Sequence, residues 1–136
     1  MTSGAAEQRN LYKGNPPRAW ARLRLLTDGG LAQDFDLFAD TGDPFAIVIS
    51  EANILQFRSR AAPDVRTNFG NLKGGWIRLQ IPDIGFDQRL VGYGNDSVVA
   101  AAQASSTDFG GILGLSLLRM MRFGGDADSF WIRPRI

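Results

Sequence analysis

The residues best placed to do chemistry are Asp40, Thr41 and Gly42. They end one apolar run, and a second, Phe45 to Ile49, begins directly after them. An ionisable side chain between two strands expected to be buried is costly unless it has partners. The acid therefore either has a task or marks a turn, since Asp, Thr and Gly are also ordinary turn formers. A second marked stretch is Gly111-Ile112-Leu113-Gly114, which runs straight into the helix-patterned Leu115 to Met121. The chain has no histidine and no cysteine. Those absences remove the Ser-His-Asp triad, thiol nucleophiles, the usual zinc sites and disulfides. Catalysis, if any, must run on carboxylates, lysine, tyrosine or hydroxyls, and no metal or cofactor is expected.

The elements that must hold these residues belong to one domain, because 136 residues suffice for a single buried core. A net charge of +1, with basic residues scattered among acids, makes no electrostatic case for nucleic acid or an acidic membrane. No apolar run is long enough to span a bilayer, and the polar start, Met1 to Asn10, lacks a signal-peptide core, so a soluble, cytoplasmic protein is expected. Residues 1–17 close on Gly14-Asn15-Pro16-Pro17 and read as a loose arm, or one that orders only against a partner; the domain proper is 18–136.

Trp20–Leu25 and Gln33–Ala39 alternate as half-buried strands around a Thr27-Asp28-Gly29-Gly30 turn. Ala46–Ile49 is a continuous run, as in a strand buried on both faces. Ser50 caps a helix predicted over Glu51–Arg60, ended by Ala61-Ala62-Pro63. Val65–Gly75, with three glycines, reads as a mobile hairpin or covering loop rather than a core strand, and it lacks the ending of a phosphate loop. Trp76–Ile81 and Arg89–Tyr93 read as strands, and Ser97–Ala104 is small, apolar and undecided. Gly124-Gly125 stops the helix begun at Leu115, and Phe130-Trp131-Ile132 is a last short strand. Met120 and Met121 read as helix core contacts, and Trp20, Trp76 and Trp131 as packing or interface residues. Together these features predict a mainly β, closed-barrel domain with one or two short helices.

Taken in order, Ala39 before Asp40-Thr41-Gly42, a glycine-rich loop beside a strand, and Ile112-Leu113-Gly114 feeding a helix, the chain resembles the retropepsin-like aspartic proteases. These are the single-lobe relatives of pepsin. The resemblance spans Arg18 to Ile132 and implies an acid-protease-like closed barrel. It implies that Asp40 is the catalytic aspartate, that the Thr41 hydroxyl locks two catalytic loops together, and that Gly42 shapes the tight loop. Ile112, Leu113 and Gly114 would cross behind that loop and support it. Phe69 to Gly75 would be the flap, with Phe69, Gly70, Asn71, Leu72 and also Asp43 as substrate contacts.

The implied chemistry is a pair of carboxylates sharing one proton: the ionised member takes a proton from water and the protonated member hydrogen-bonds the scissile carbonyl. With one Asp-Thr-Gly per chain, the pair requires a homodimer on a two-fold axis, and the substrate would be an extended peptide or protein segment. The terminal arm and Phe130–Ile132 are candidates for the dimer sheet, or an ordinary tail and edge strand. One residue departs from the family pattern. Asp43, before Pro44, stands where a small residue is usual. It would perturb the dyad by repulsion, bind a substrate N–H, or face solvent, and the solvent-facing placement is the expectation. The alternative reading is a catalytically weak module that dimerises and binds peptides; an unrelated barrel with Asp40 as a turn residue would be monomeric.

Overall fold

A computed structural model describes residues 6–136. Its strands are β1 (Gln8–Leu11), β2 (Trp20–Leu26), β3 (Ala32–Asp40), β4 (Ile47–Ile49), β5 (Arg60–Thr67), β6 (Gly70–Ile81), β7 (Phe86–Gly94), β8 (Gly111–Gly114), β9 (Arg122–Gly125) and β10 (Ser129–Arg133). Three short helices, α1 (Glu51–Phe57), α2 (Asp96–Gln103) and α3 (Leu115–Leu118), punctuate them.

Six strands close into a barrel in the order β2-β3-β8-β4-β7-β6, with β6 returning to β2. Alternation explains the hairpin that starts it: Ala21, Leu23 and Leu25 turn inward from β2, and Phe35 and Leu37 from β3. The turn between them is held by Thr27, whose backbone N–H donates to Leu31 O (2.8 Å) and whose Oγ1 accepts the Leu31 N–H (3.0 Å). β8 threads between β3 and β4, parallel to the first and antiparallel to the second. That central position accounts for the unbroken apolar runs. Ile47, Ile49 and Leu113 fill the barrel, while Val48 and Ile112 face a second cluster with Leu72, Val98, Ala102 and Phe109. No helix among the described residues is long and apolar enough to cross a membrane.

Several expectations are corrected. α1 ends at Phe57 rather than Arg60, because Arg58 turns extended and the Ser59 N–H donates to Trp76 O (2.8 Å), pulling the chain into β5. Pro63 then sits at a register shift of that strand, where a missing N–H is tolerated. The stretch 65–75 is a hairpin rather than a covering loop, and 70–75 belongs to the long strand β6, with Leu72 in a buried cluster. A Cβ on Gly74 would lie 2.6 Å from Pro63 O, and one on Gly75 2.6 Å from the Arg58 Cβ, so these glycines permit close approach of neighbouring chain. The undecided 97–104 stretch is α2. The third helix stops at Leu118, and Gly124-Gly125 lies in β9, where Gly124 leaves room for the Trp131 ring.

The loose arm is also corrected from Gln8 onward; residues 1–5 lie outside the described residues. β1 pairs with β10, which pairs with β9. The buried Gln8 side chain imitates a strand neighbour, accepting the Arg22 N–H (2.7 Å) and donating to Arg22 O (2.8 Å). Lys13 binds Asp36 (2.9 Å) and stacks 3.9 Å from the Trp20 ring centre. Phe130–Ile132 is therefore the middle of a three-stranded sheet, with both edges already filled by this chain; among the described residues the outer strands of that sheet are β1 and β9.

Candidate active site

Asp40 is the last residue of β3, opposite Gly114 of β8. The loop after it folds back on itself. The Gly42 N–H donates to Asp40 Oδ1 (2.9 Å) and the Asp43 N–H to Asp40 O (3.1 Å), the turn expected of an Asp followed by a glycine. Two further bonds staple the loop to the segment behind it: the Gly114 N–H donates to Ala46 O (2.9 Å) and the Leu115 N–H to Asp43 O (2.7 Å). Ile112, Leu113 and Gly114 are buried directly behind Asp40, and Thr41 is exposed at the loop's crest.

Two cavities, of about 350 and 260 Å3, flank Asp40. Both are bounded by Asp40, Asp43, Phe69 and Val98. Phe69 belongs to the tip of the β5–β6 hairpin, where Thr67 Oγ1 accepts the Phe69 N–H (3.1 Å) and donates to Gly70 O (3.0 Å). The tip is tied down by Asn95. Its Nδ2 donates to Phe69 O (3.2 Å) and Asn71 O (3.1 Å), while its Oδ1 caps α2 by accepting the Val98 N–H (3.0 Å).

Of the residues anticipated as substrate contacts, Asp43, Phe69 and Leu72 line a cavity, Leu72 as part of the buried floor. Gly70 and Asn71 do not. The Asn71 side chain turns away to Asp64 (3.0 Å). The sequence reading missed α2, which supplies Val98, Ala101 and Ala102, and it missed Arg18, Thr67 and Asn68. A signal for α2 existed: Asn95 precedes apolar residues at 98, 99 and 102, an N-cap followed by helical spacing.

Asp43 does not face solvent as expected. It is half-buried, and its Oδ1 accepts the Phe45 N–H (2.8 Å). Burial pushes its carboxyl above the ordinary range; the Phe45 N–H opposes the shift and the nearby Asp40 carboxylate adds to it. A raised folded-state value means that ionising Asp43 works against folding. The penalty is absent below the ordinary carboxylate range, builds as pH rises through the raised value, and is constant above it. Asp43→Asn keeps an acceptor for Phe45. It is expected to raise the Tm by a few degrees near neutral pH and to change nothing below about pH 4. Thermal unfolding of both proteins at the two pH values checks this; a gain that persists at acid pH would count against it.

A further concavity, about 590 Å3, lies between Pro44, Leu115, Ser116, Arg119, Met120 and Arg135 and has no carboxylate in its lining. No grouping of three or more acidic side chains among the described residues could hold a metal ion. Compared with known proteins, the chain matches no family model, no curated protein and no solved structure.

Proposed function

We propose that the chain is one half of a homodimeric aspartic endopeptidase. The observation that carries the reading is the setting of Asp40: a carboxylate at a strand end, between two cavities, beneath a hairpin tip, with Gly114 packed behind it. The Gly42 N–H holds Asp40 Oδ1, which leaves Oδ2 without a protein donor among the described residues. In a dimer that oxygen would meet Asp40 of a second copy across a water. One carboxylate takes a proton from that water as it attacks the scissile carbonyl, and the other donates a hydrogen bond to the carbonyl oxygen, then a proton to the leaving amine.

Support for self-association comes from the exposed Thr41, from the outer strands β1 and β9, and from Leu11, 72% exposed on β1. The second reading, a peptide-binding module that cuts weakly or not at all, draws on Asp43. That extra acid crowds the mouth of the cleft, where the proposed chemistry needs a single shared proton.

The test compares wild type with Asp40→Asn on an unfolded protein from about pH 4 to 7. Wild type is expected to cut it, and the variant to be slower by at least about 10²-fold. Equal cleavage by both, or none by wild type, would overturn the protease reading. Sedimentation at rising concentration should show a dimer, and a strict monomer would remove the two-carboxylate mechanism.

A further inference from the structure

The two cavities beside Asp40 share Asp40 and Asp43 and differ in that only one also has a cation in its lining. The larger, on the hairpin side, joins Asp40 and Asp43 to apolar Phe45, Val48 and Leu72, and has no lysine or arginine in its lining. The smaller is bounded by Arg18, whose guanidinium lies 5.2 Å from the centre of the Phe38 ring. Asp34, Asp36 and Asp87 on the strands are each paired with an arginine, whereas Asp64 is held by the Asn71 side chain and the Gly74 N–H. Among the described residues Asp43 has no paired cation, although it is half-buried at the rim of an apolar hollow. Its Oδ1 is committed to the Phe45 N–H, and Oδ2 is left over.

A carboxylate so placed is costly until a cation reaches it. The complementary group is a side chain with an aliphatic stem and a charged head. The stem would lie along Phe45, Val48 and Leu72, and the head would reach Asp43, with the exposed Phe69 ring above. At about 350 Å3 the space is at the lower end of ligand pockets and large enough for one long side chain. The smaller cavity already holds a cation of its own, Arg18, beside the same two carboxylates.

We propose that Asp43 is a specificity-determining residue, and that the larger cavity takes a lysine or arginine side chain of the bound peptide. The inference rests on the peptide-cleft reading of the preceding subsection and names its substrate class.

The test uses peptides with one variable position, occupied by lysine, arginine, norleucine or glutamate. Wild type should favour lysine over norleucine in kcat/KM by about tenfold or more, the scale of one charged hydrogen bond. In Asp43→Asn, which still offers Phe45 an acceptor, that ratio should fall to about one. A wild-type ratio near one, a ratio unchanged in the variant, or a preference for glutamate would each overturn the inference. The same peptides, fluorescently labelled, are titrated by anisotropy into Asp40→Asn and into Asp40→Asn combined with Asp43→Asn. If wild type cuts nothing but lysine still binds more tightly than norleucine in an Asp43-dependent way, proteolysis fails and the specificity stands. Without cleavage and without that binding preference, the specificity fails too.

Discussion

Gly114→Ala is expected to destabilise the domain by about 3 kcal/mol or more, the upper end of what overpacking a core site costs. Backbone freedom is not the reason. Gly114 has φ −105°, which any residue adopts. The reason is space. A Cβ there would be driven into the Phe45 carbonyl oxygen, 2.7 Å from Asp43 O and 3.0 Å from Asp43 Oδ1. The two carbonyl oxygens are backbone, and their loop is pinned by the Gly114 N–H to Ala46 and the Leu115 N–H to Asp43. Relief requires the loop to leave β8, which displaces Asp40 as well. Gly29→Ala is the control: its Cβ would meet only Thr27 Oγ1 at 3.8 Å, so a change within about 0.5 kcal/mol is expected. Denaturant unfolding of both variants decides it. Equal stability would mean that the strand behind Asp40 is looser than its packing implies.

The second large effect is expected at Asn95, which is only 8% exposed and serves two elements at once. Asn95→Asp keeps a good N-cap for α2. It removes both donors to the hairpin tip and sets a carboxylate against the Phe69 and Asn71 carbonyls. The expected cost is about 2–3 kcal/mol, that of buried acceptors left unpaired beside a buried charge. It should be local. Amides of residues 67–72 should exchange with solvent at least about tenfold faster, while those of α2 stay protected. Asn95→Ala, which loses the cap as well, should release both. Equal exchange of the tip in Asn95→Asp and wild type would show that Asn95 does not hold it.

Much of the barrel was legible because half-buried strands write their burial into a two-residue alternation. Trp20–Leu26 and Ala32–Asp40 are examples, with Thr27 to Gly30 between them. Glycine was the least legible residue. Gly74, Gly75 and Gly124 look like loop or stop signals, yet they lie in strands where a neighbouring backbone or side chain takes the space of a Cβ. Helix α1 was legible at its cap, Ser50, and not at its end, which is set by where the next strand pairs; the Asn95 cap of α2 reads in the sequence only as a strand stop.

Asp40-Thr41-Gly42 between apolar runs, Ile112-Leu113-Gly114 before a helix, and a chain without histidine or cysteine are properties of the sequence alone. They restrict any chemistry to carboxylates, lysine, tyrosine or hydroxyls and place one candidate carboxylate at a strand end. The tertiary structure decided what surrounds it. It set the hairpin tip and α2 over Asp40, joined through Asn95 across 26 residues, left Asp43 half-buried, and bound β1 to β10 from opposite ends of the chain. Local periodicity reports which face of an element is buried. It carries no information about which distant element does the burying, and the cleft is built from those distant contacts.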